Sequence, residues 1–174
     1  MKVAVMGYSG SGKSTLTRRI SEFYHIPALH LDRVQFEAGW KERDRETARA
    51  MVRSFMEGTD WVIDGNYRSF YADERLQSAD RIIYLDFSRL SCLVRVIRRY
   101  RRYKGAVRES MAEGCPEKLD RAFVWWVLYA GRTRKRKAAF KALLQPYRDK
   151  LTVIKNQRQL DAFTAAFLEN GQAV

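Results

Sequence analysis

The sequence is poor in the residues that build disulfide frameworks and zinc sites. Cys92 and Cys115 are the only two cysteines in 174 residues, and neither has a CxxC partner or a nearby histidine. That pattern excludes a disulfide scaffold and gives no support to a zinc centre, so both read as free thiols. Long apolar runs are also missing. None reaches bilayer-spanning length, and the opening, Lys2 and then four apolar positions before Gly7, is too short for a secretory h-region. A cytoplasmic protein with no membrane partner is therefore expected. Internal repeats and low-complexity tracts are absent too, which sets solenoids and disordered arrays aside.

Acidic residues are in deficit. The chain holds 33 Lys and Arg against 20 Asp and Glu, a formal charge of +13. Such a field attracts polyanions, whether nucleic acid or polyphosphate substrates, and says nothing by itself about fold. With 46% hydrophobic residues the chain can build one sizeable core, so residues 1–174 are read as a single domain, and a monomer is expected.

Strand-like runs recur at Lys2–Met6, Ala28–Leu31, Trp61–Ile63, Arg81–Leu85 and Leu151–Ile154. Helical spacing lies between them: Leu16, Ile20, Phe23 and Tyr24, then Ala48, Met51, Val52 and Phe55, then Leu90, Leu93, Val94 and Ile97. Alternation of this kind predicts a five-stranded parallel sheet with helices on both faces, a three-layer α/β fold. The runs Val3–Met6 and Ile82–Leu85 are apolar throughout, as strands covered on both faces are. Between the helical patterns at 89–103 and 117–130 lies KGAVRESMAEGCPEK, read as part of a mobile helical lid over about residues 100–120. Trp125, Trp126 and Tyr129 fall at helical spacing and read as core.

Directly after the first strand comes Gly7-Tyr8-Ser9-Gly10-Ser11-Gly12-Lys13-Ser14, which satisfies G-x-x-x-x-G-K-[ST] and leads into an amphipathic helix. That strand–loop–helix context is what the P-loop requires. Glycines at Gly7, Gly10 and Gly12 let backbone N–H groups, including those of Ser9 and Ser11, converge on phosphate oxygens beside the positive end of a helix. Lys13 is placed to neutralise the β- and γ-phosphates of ATP and Ser14 to ligate Mg²⁺, with Thr15 a supporting hydroxyl. No Asn-Lys-x-Asp guanine-reading motif follows, which argues against a GTPase switch.

A second constellation is WVIDGNYR, in which Asp64 closes a strand and Arg68 follows four residues on. A carboxylate at that edge is placed to hold Mg²⁺ or its waters. A third lies after LDFS, where Arg95, Arg99 and Arg102 share one helical face, opposite the stripe Leu90, Leu93, Val94 and Ile97. From the acid-free run Arg132–Lys137, one or two residues are candidates to enter a closed site, Arg132 and Arg136 being four apart and co-facial, and spacing does not choose between them. Asp32 sits at the end of the second strand, and His30 on the same strand reads as structural, facing the other side.

Asp64-Gly65-x-x-Arg68 resembles the nucleoside monophosphate kinases, adenylate kinase above all. The resemblance implies that Asp64 organises the metal, that Arg68 grips the acceptor's phosphate, and that Arg95 stacks on adenine while Arg99 meets phosphate. In small-molecule kinases of this architecture an aspartate at the place of Asp32 binds the acceptor or serves as its base; a turn or cap role is the alternative. Across nearly the whole chain, GYSGSGKST, HLDRVQF with Trp40, WVIDGNY and MAEGCPEK before paired tryptophans resemble the bacterial DNA topology modulation proteins, which are adenylate-kinase-related. That implies the P-loop kinase fold and ATP binding, and the family name raises nucleic acid as a partner. Two departures from adenylate kinase stand out: Cys115 is the lid's only cysteine, so a four-cysteine zinc lid is excluded, and Asp-Gly-Asn-Tyr-Arg replaces the proline-containing form. The expectation is an ATP- and Mg²⁺-dependent phosphotransferase acting on a nucleotide or other small acceptor, or alternatively a nucleotide-regulated DNA-binding protein.

Overall fold

A computed structural model describes residues 1–169. The chain begins with strand β1 (Lys2–Gly7) and helix α1 (Lys13–Tyr24). Strand β2 (Ala28–His30) and helix α2 (Leu31–Gln35) follow, then a small hairpin of β3 (Phe36–Glu37) and β4 (Lys41–Glu42). Helix α3 (Arg45–Met56), strand β5 (Trp61–Asp64), helix α4 (Ala72–Ser78) and strand β6 (Arg81–Leu85) continue the alternation. Helices α5 (Arg89–Tyr103), α6 (Arg121–Leu128) and α7 (Arg134–Leu144) precede strand β7 (Leu151–Ile154) and helix α8 (Gln157–Glu169).

Five strands form one parallel sheet in the order β2-β5-β1-β6-β7. All five runs read from the sequence are therefore strands, and the three-layer α/β architecture holds. The fully apolar runs lie where predicted: β1 is central, and Val3, Ala4, Val5, Ile82 and Ile83 are at most 1% exposed. Because β1 pairs with β5 on one side and β6 on the other, the chain order reverses at β1. Ligands of open α/β sheets bind at such a switch point, beyond the carboxyl ends of the strands. The loop after β1 occupies that place.

Several local expectations are corrected. The face of α5 that packs on the core carries Cys92 and Val96, both 0% exposed, whereas Leu90 and Val94 are 72% and 45% exposed. Arg95 and Arg99 are each three residues beyond one of these buried positions, so they flank the buried stripe instead of standing opposite it. On α6 only Val127 is buried; Trp125, Trp126 and Tyr129 are exposed, so the core reading of these aromatics does not hold. Strand β2 stops at His30 and the chain turns at once into α2, which puts Asp32 in a first helical turn.

Residues 104–120 link α5 to α6 where the lid was read. They form no helix or strand, only a bridge between Lys104 and Glu117. Met111, Ala112 and Cys115 build a small second core against Phe36 and Trp40 of the hairpin region. Trp40 Nε1 donates to Pro116 O at 3.2 Å, Gly39 N to Gly114 O at 2.9 Å, and Cys115 Sγ to Glu37 O at 3.0 Å. The segment is thereby fastened along its far side to the β3–β4 hairpin.

Candidate functional site

The loop Gly7–Gly12 is shaped by left-handed glycines. Gly7, Gly10 and Gly12 have φ of +144°, +80° and +103°, values that side chains rarely adopt. At Gly10 a Cβ would stand 2.6 Å from Cys92 O, so only glycine lets α5 press against the loop. Gly12 begins α1 with no side-chain cap, leaving the first-turn amides free for an anion. Lys13 Nζ donates to Gly7 O at 3.0 Å and Tyr8 O at 3.2 Å, folding over its own loop. Burial pulls the Lys13 ammonium below its ordinary pKa, and Asp32 and then Asp64 pull it back up, so both carboxylates act on this charge. An uncapped helix start, a nest of left-handed glycines and a lysine make a cradle that fits a nucleotide's phosphates.

Asn66, passed over in the sequence, holds this loop in register. Its Nδ2 donates to Gly7 O at 2.7 Å and its Oδ1 accepts from Gly7 N at 3.1 Å. One amide thus extends the β1–β5 pairing past the end of the ladder, and it shares Gly7 O with Lys13.

Asp64 is 2% exposed, and its Oδ2 is hydrogen-bonded to His30 Nδ1 at 2.8 Å. The reading of His30 as facing away is corrected: His30 and Asp64 are directly paired across β2 and β5, and paired residues share a face. Arg75, 1% exposed, lies behind them and donates to Phe70 O and Gly65 O at 3.2 and 3.4 Å. Burial lowers its pKa to about 10, offset in part by Asp64. A cation buried behind the Asp64–Gly65 turn carries no sequence signature, because Arg75 reads as an ordinary polar helix position.

Asp32 faces the same cleft and accepts from the Tyr67 hydroxyl at 2.8 Å. Burial first and Asp32 second raise the Tyr67 pKa, so Tyr67 stays a neutral donor. The N-cap of α2 is His30, so Asp32 does not cap that helix.

Arg95 donates through Nη1 to Ser11 O at 2.7 Å, lies 4.1 Å above the Phe87 ring and bonds Gln157 through Nη2. Arg99 lies deeper and meets Glu117 of the lid, Nε to Oε1 at 2.7 Å. Arg132 is 5% exposed: it donates to Phe87 O at 2.8 Å and Val127 O at 3.2 Å, contacts Cys92 Sγ at 3.0 Å, and stacks 3.7 Å above the Tyr8 ring. Most of its donors are therefore spent on Val127, Phe87 and Cys92, and it meets the loop through the Tyr8 ring. Arg68 stands exposed at the rim.

These groups line one cleft of about 1590 Å³. Ser9, Gly10, Gly12, Lys13, Ser14 and Thr15 line it together with Asp32, Tyr67 and Arg68 and with Arg95, Arg99 and Arg132. Gly7, Ser11 and Asp64 sit just behind its surface. Single-ligand sites seldom exceed roughly 1,000 Å³, so the cleft has room for two ligands side by side. Eleven Lys and Arg side chains line it against four Asp and Glu, which suits anionic ligands. Among the described residues no group of three or more His, Cys, Asp or Glu is placed to hold a metal ion by itself. Ser14 with the Asp64 carboxylate fits Mg²⁺, which is bound through one or two protein oxygens together with substrate phosphates.

The fold is a three-layer α/β architecture with a P-loop sequence directly after its central strand. Solved structures share that fold at low identity. A shikimate kinase from Bacteroides thetaiotaomicron is 16% identical with a TM-score of 0.52, covering 99% of each chain. A candidate kinase from Chloroflexus aurantiacus is 13% identical with a TM-score of 0.56, covering 98% of this chain and 96% of its own. An uncharacterized protein from Eubacterium ventriosum is 17% identical with a TM-score of 0.51, covering 98% of each. No protein-family model matches the chain, and no curated protein matches it in sequence. Among the described residues no helix is long and apolar enough to cross a membrane.

Proposed function

We propose that this protein is an ATP-dependent phosphotransferase that moves the γ-phosphoryl group of ATP to a nucleotide or other small acceptor. The observation that carries the reading is one cleft lined by both the phosphate cradle and the Asp32–Tyr67 pair. The backbone donors of the loop other than Gly7 N, held by Asn66, and Ser11 N, held by Tyr8 O, bind the donor phosphates, and Lys13 leaves its loop carbonyls to neutralise them. Mg²⁺, held by Ser14 and by Asp64 or waters bound to it, supplies charge neutralisation on the phosphate oxygens. In the transfer, the bond from phosphorus to the bridging oxygen of ADP breaks and a bond to the acceptor oxygen forms. Asp32 takes the proton of a hydroxyl acceptor, and Arg68, Arg95 and Arg99 hold anionic groups in place. Transfer of this kind asks for positioning and charge more than covalent chemistry, which is what an arginine-lined cleft supplies.

The test is transfer of labelled γ-phosphate from ATP to a panel of nucleoside monophosphates, nucleosides, 5′-hydroxyl oligonucleotides and shikimate. Lys13→Ala is expected to abolish turnover while the thermal transition is kept. Turnover by that variant at the wild-type rate overturns the reading.

A second reading, a nucleotide-regulated nucleic-acid-binding protein, is favoured by one observation. Trp125 and Tyr129 are 60% and 48% exposed, their rings 4.5 Å apart, with Arg89 5.6 Å from the Tyr129 ring. Exposed aromatics among arginines suit stacked bases. This reading requires binding to DNA that weakens steeply as salt rises, and no binding at low salt removes it.

A further inference from the structure

Glu117 is the one carboxylate that the lid segment buries in the cleft wall, and two guanidiniums converge on it. Its side chain is 2% exposed. Arg99 meets it edge-on, with Nε at 2.7 Å and Nη2 at 2.6 Å from Oε1. Arg108 approaches Oε2 through Nε at 2.5 Å, an ion pair whose N–H is not aligned as a hydrogen bond, and donates through Nη1 to Ser110 Oγ at 3.1 Å. All three residues line the cleft.

Two like charges held this close repel each other, and Arg108 is, after burial, the largest influence pulling the Arg99 pKa below its ordinary value. Glu117 is what allows both to stand together. Among the described residues, Nη1 of Arg99 and Nη2 of Arg108 have no protein acceptor, so each guanidinium keeps donors for a ligand. A carboxylate behind two arginines does not touch substrate; it sets the direction of the groups that do.

We infer that Glu117 is a positioning residue that holds Arg99 and Arg108 as a paired clamp on the γ-phosphate of bound ATP, with Arg108 the second jaw. The inference rests on the phosphotransferase reading of the cleft. A wild-type protein bearing this clamp binds ATP more tightly than ADP, because only ATP carries the phosphate the clamp grips. The carboxylate's charge is required, since it faces two cations; an amide of the same shape faces them with half its acceptors and no charge.

The experiment compares wild type, Glu117→Gln, Glu117→Asp and Arg108→Ala by calorimetric binding of ATP and ADP and by kcat and KM for phosphate release from ATP. Glu117→Gln keeps the shape of the side chain, and thermal melts verify that it folds. The expected result is a loss of roughly tenfold to a hundredfold in kcat, the scale set by a misplaced catalytic group. ATP affinity falls about as far as in Arg108→Ala, ADP affinity stays within about twofold, and Glu117→Asp recovers part of the loss. In the double variant Glu117→Gln/Arg108→Ala the effects are less than additive, as residues acting as one unit require. Additive effects, or equal losses of ATP and ADP affinity, overturn the inference and leave Glu117 a structural ion pair. Absence of ATP turnover and of ATP binding in the wild type instead overturns the reading of the cleft.

Discussion

Asn66 grips both faces of the Gly7 peptide, donating to its carbonyl at 2.7 Å and accepting from its amide at 3.1 Å. The side chain does for the P-loop what a neighbouring strand does for β1. Replacing Asn66 by Asp puts a carboxylate oxygen against the Gly7 carbonyl, with no donor between them. The expected result is a loss of about 1–3 kcal/mol in ATP binding, the range for an unmet polar group. Calorimetric titration of ATP checks it; unchanged affinity would show that the loop keeps its shape unaided.

Glycine at position 114 lies under the hairpin. It has φ +72°, and a Cβ there would come within 2.9 Å of Ala38 Cβ. Gly114→Val therefore pries the lid segment from Gly39 and Trp40 while leaving the sheet untouched. Limited proteolysis followed by mass mapping is expected to cut within residues 104–118 faster than in wild type, with the main thermal transition little moved. Equal cutting rates would count against the seam as the lid's fastening.

The two classes of tryptophan separate sharply. Trp61 is 0% exposed in the central layer, whereas Trp125 is 60% exposed on α6. Trp61→Ala is expected to cost about 3–5 kcal/mol. Trp125→Ala is expected to stay within about 0.5 kcal/mol, as surface changes do. Denaturant titration of the two variants measures both, and a large loss at Trp125 would place it in a core after all.

Acid sensitivity has a local source at the start of α3. Asp44 accepts from Thr47 N at 2.9 Å and Thr47 Oγ1 at 2.8 Å, and the backbone bond is the main cause of its lowered pKa. A carboxylate whose pKa is depressed in the folded state stabilises the fold above its ordinary value of 3.8 and loses that contribution as pH falls through the folded value. Asp44→Ala is therefore expected to melt below wild type at pH 7, with the gap closing in acid below pH 3.8. A gap that persists unchanged there would assign the cap no charge dependence.

The sheet was legible because buried parallel strands are unbroken apolar runs, and the P-loop because its residues are contiguous. What escaped depended on register or distance. His30 was assigned to the far side of β2, but it stands opposite Asp64 across the sheet, a register that no single strand reveals. The buried stripe of α5 was misread because Leu90 and Val94 complete an apolar helical spacing with Leu93 and Ile97, whereas Cys92 and Val96 are the positions that pack fully inward. Arg108 and Glu117 lie 9 and 18 residues from Arg99 along the chain, and nothing in local spacing brings them together. Asn66 sits in a motif where the aspartate and arginine drew attention, yet its amide holds the glycine.

The seam between the lid segment and the β3–β4 hairpin alters what opening the cleft entails. A flap attached at its two chain ends swings; one also fastened along its far edge by three hydrogen bonds and a small apolar cluster has to melt there first. Were a ligand to enter past this segment, local unfolding there would limit its admission, at a rate that climbs steeply with temperature. Residues far from the phosphates, at Trp40, Gly114 and Cys115, would set how often the door is open, while those in the cleft decide what happens once it has closed.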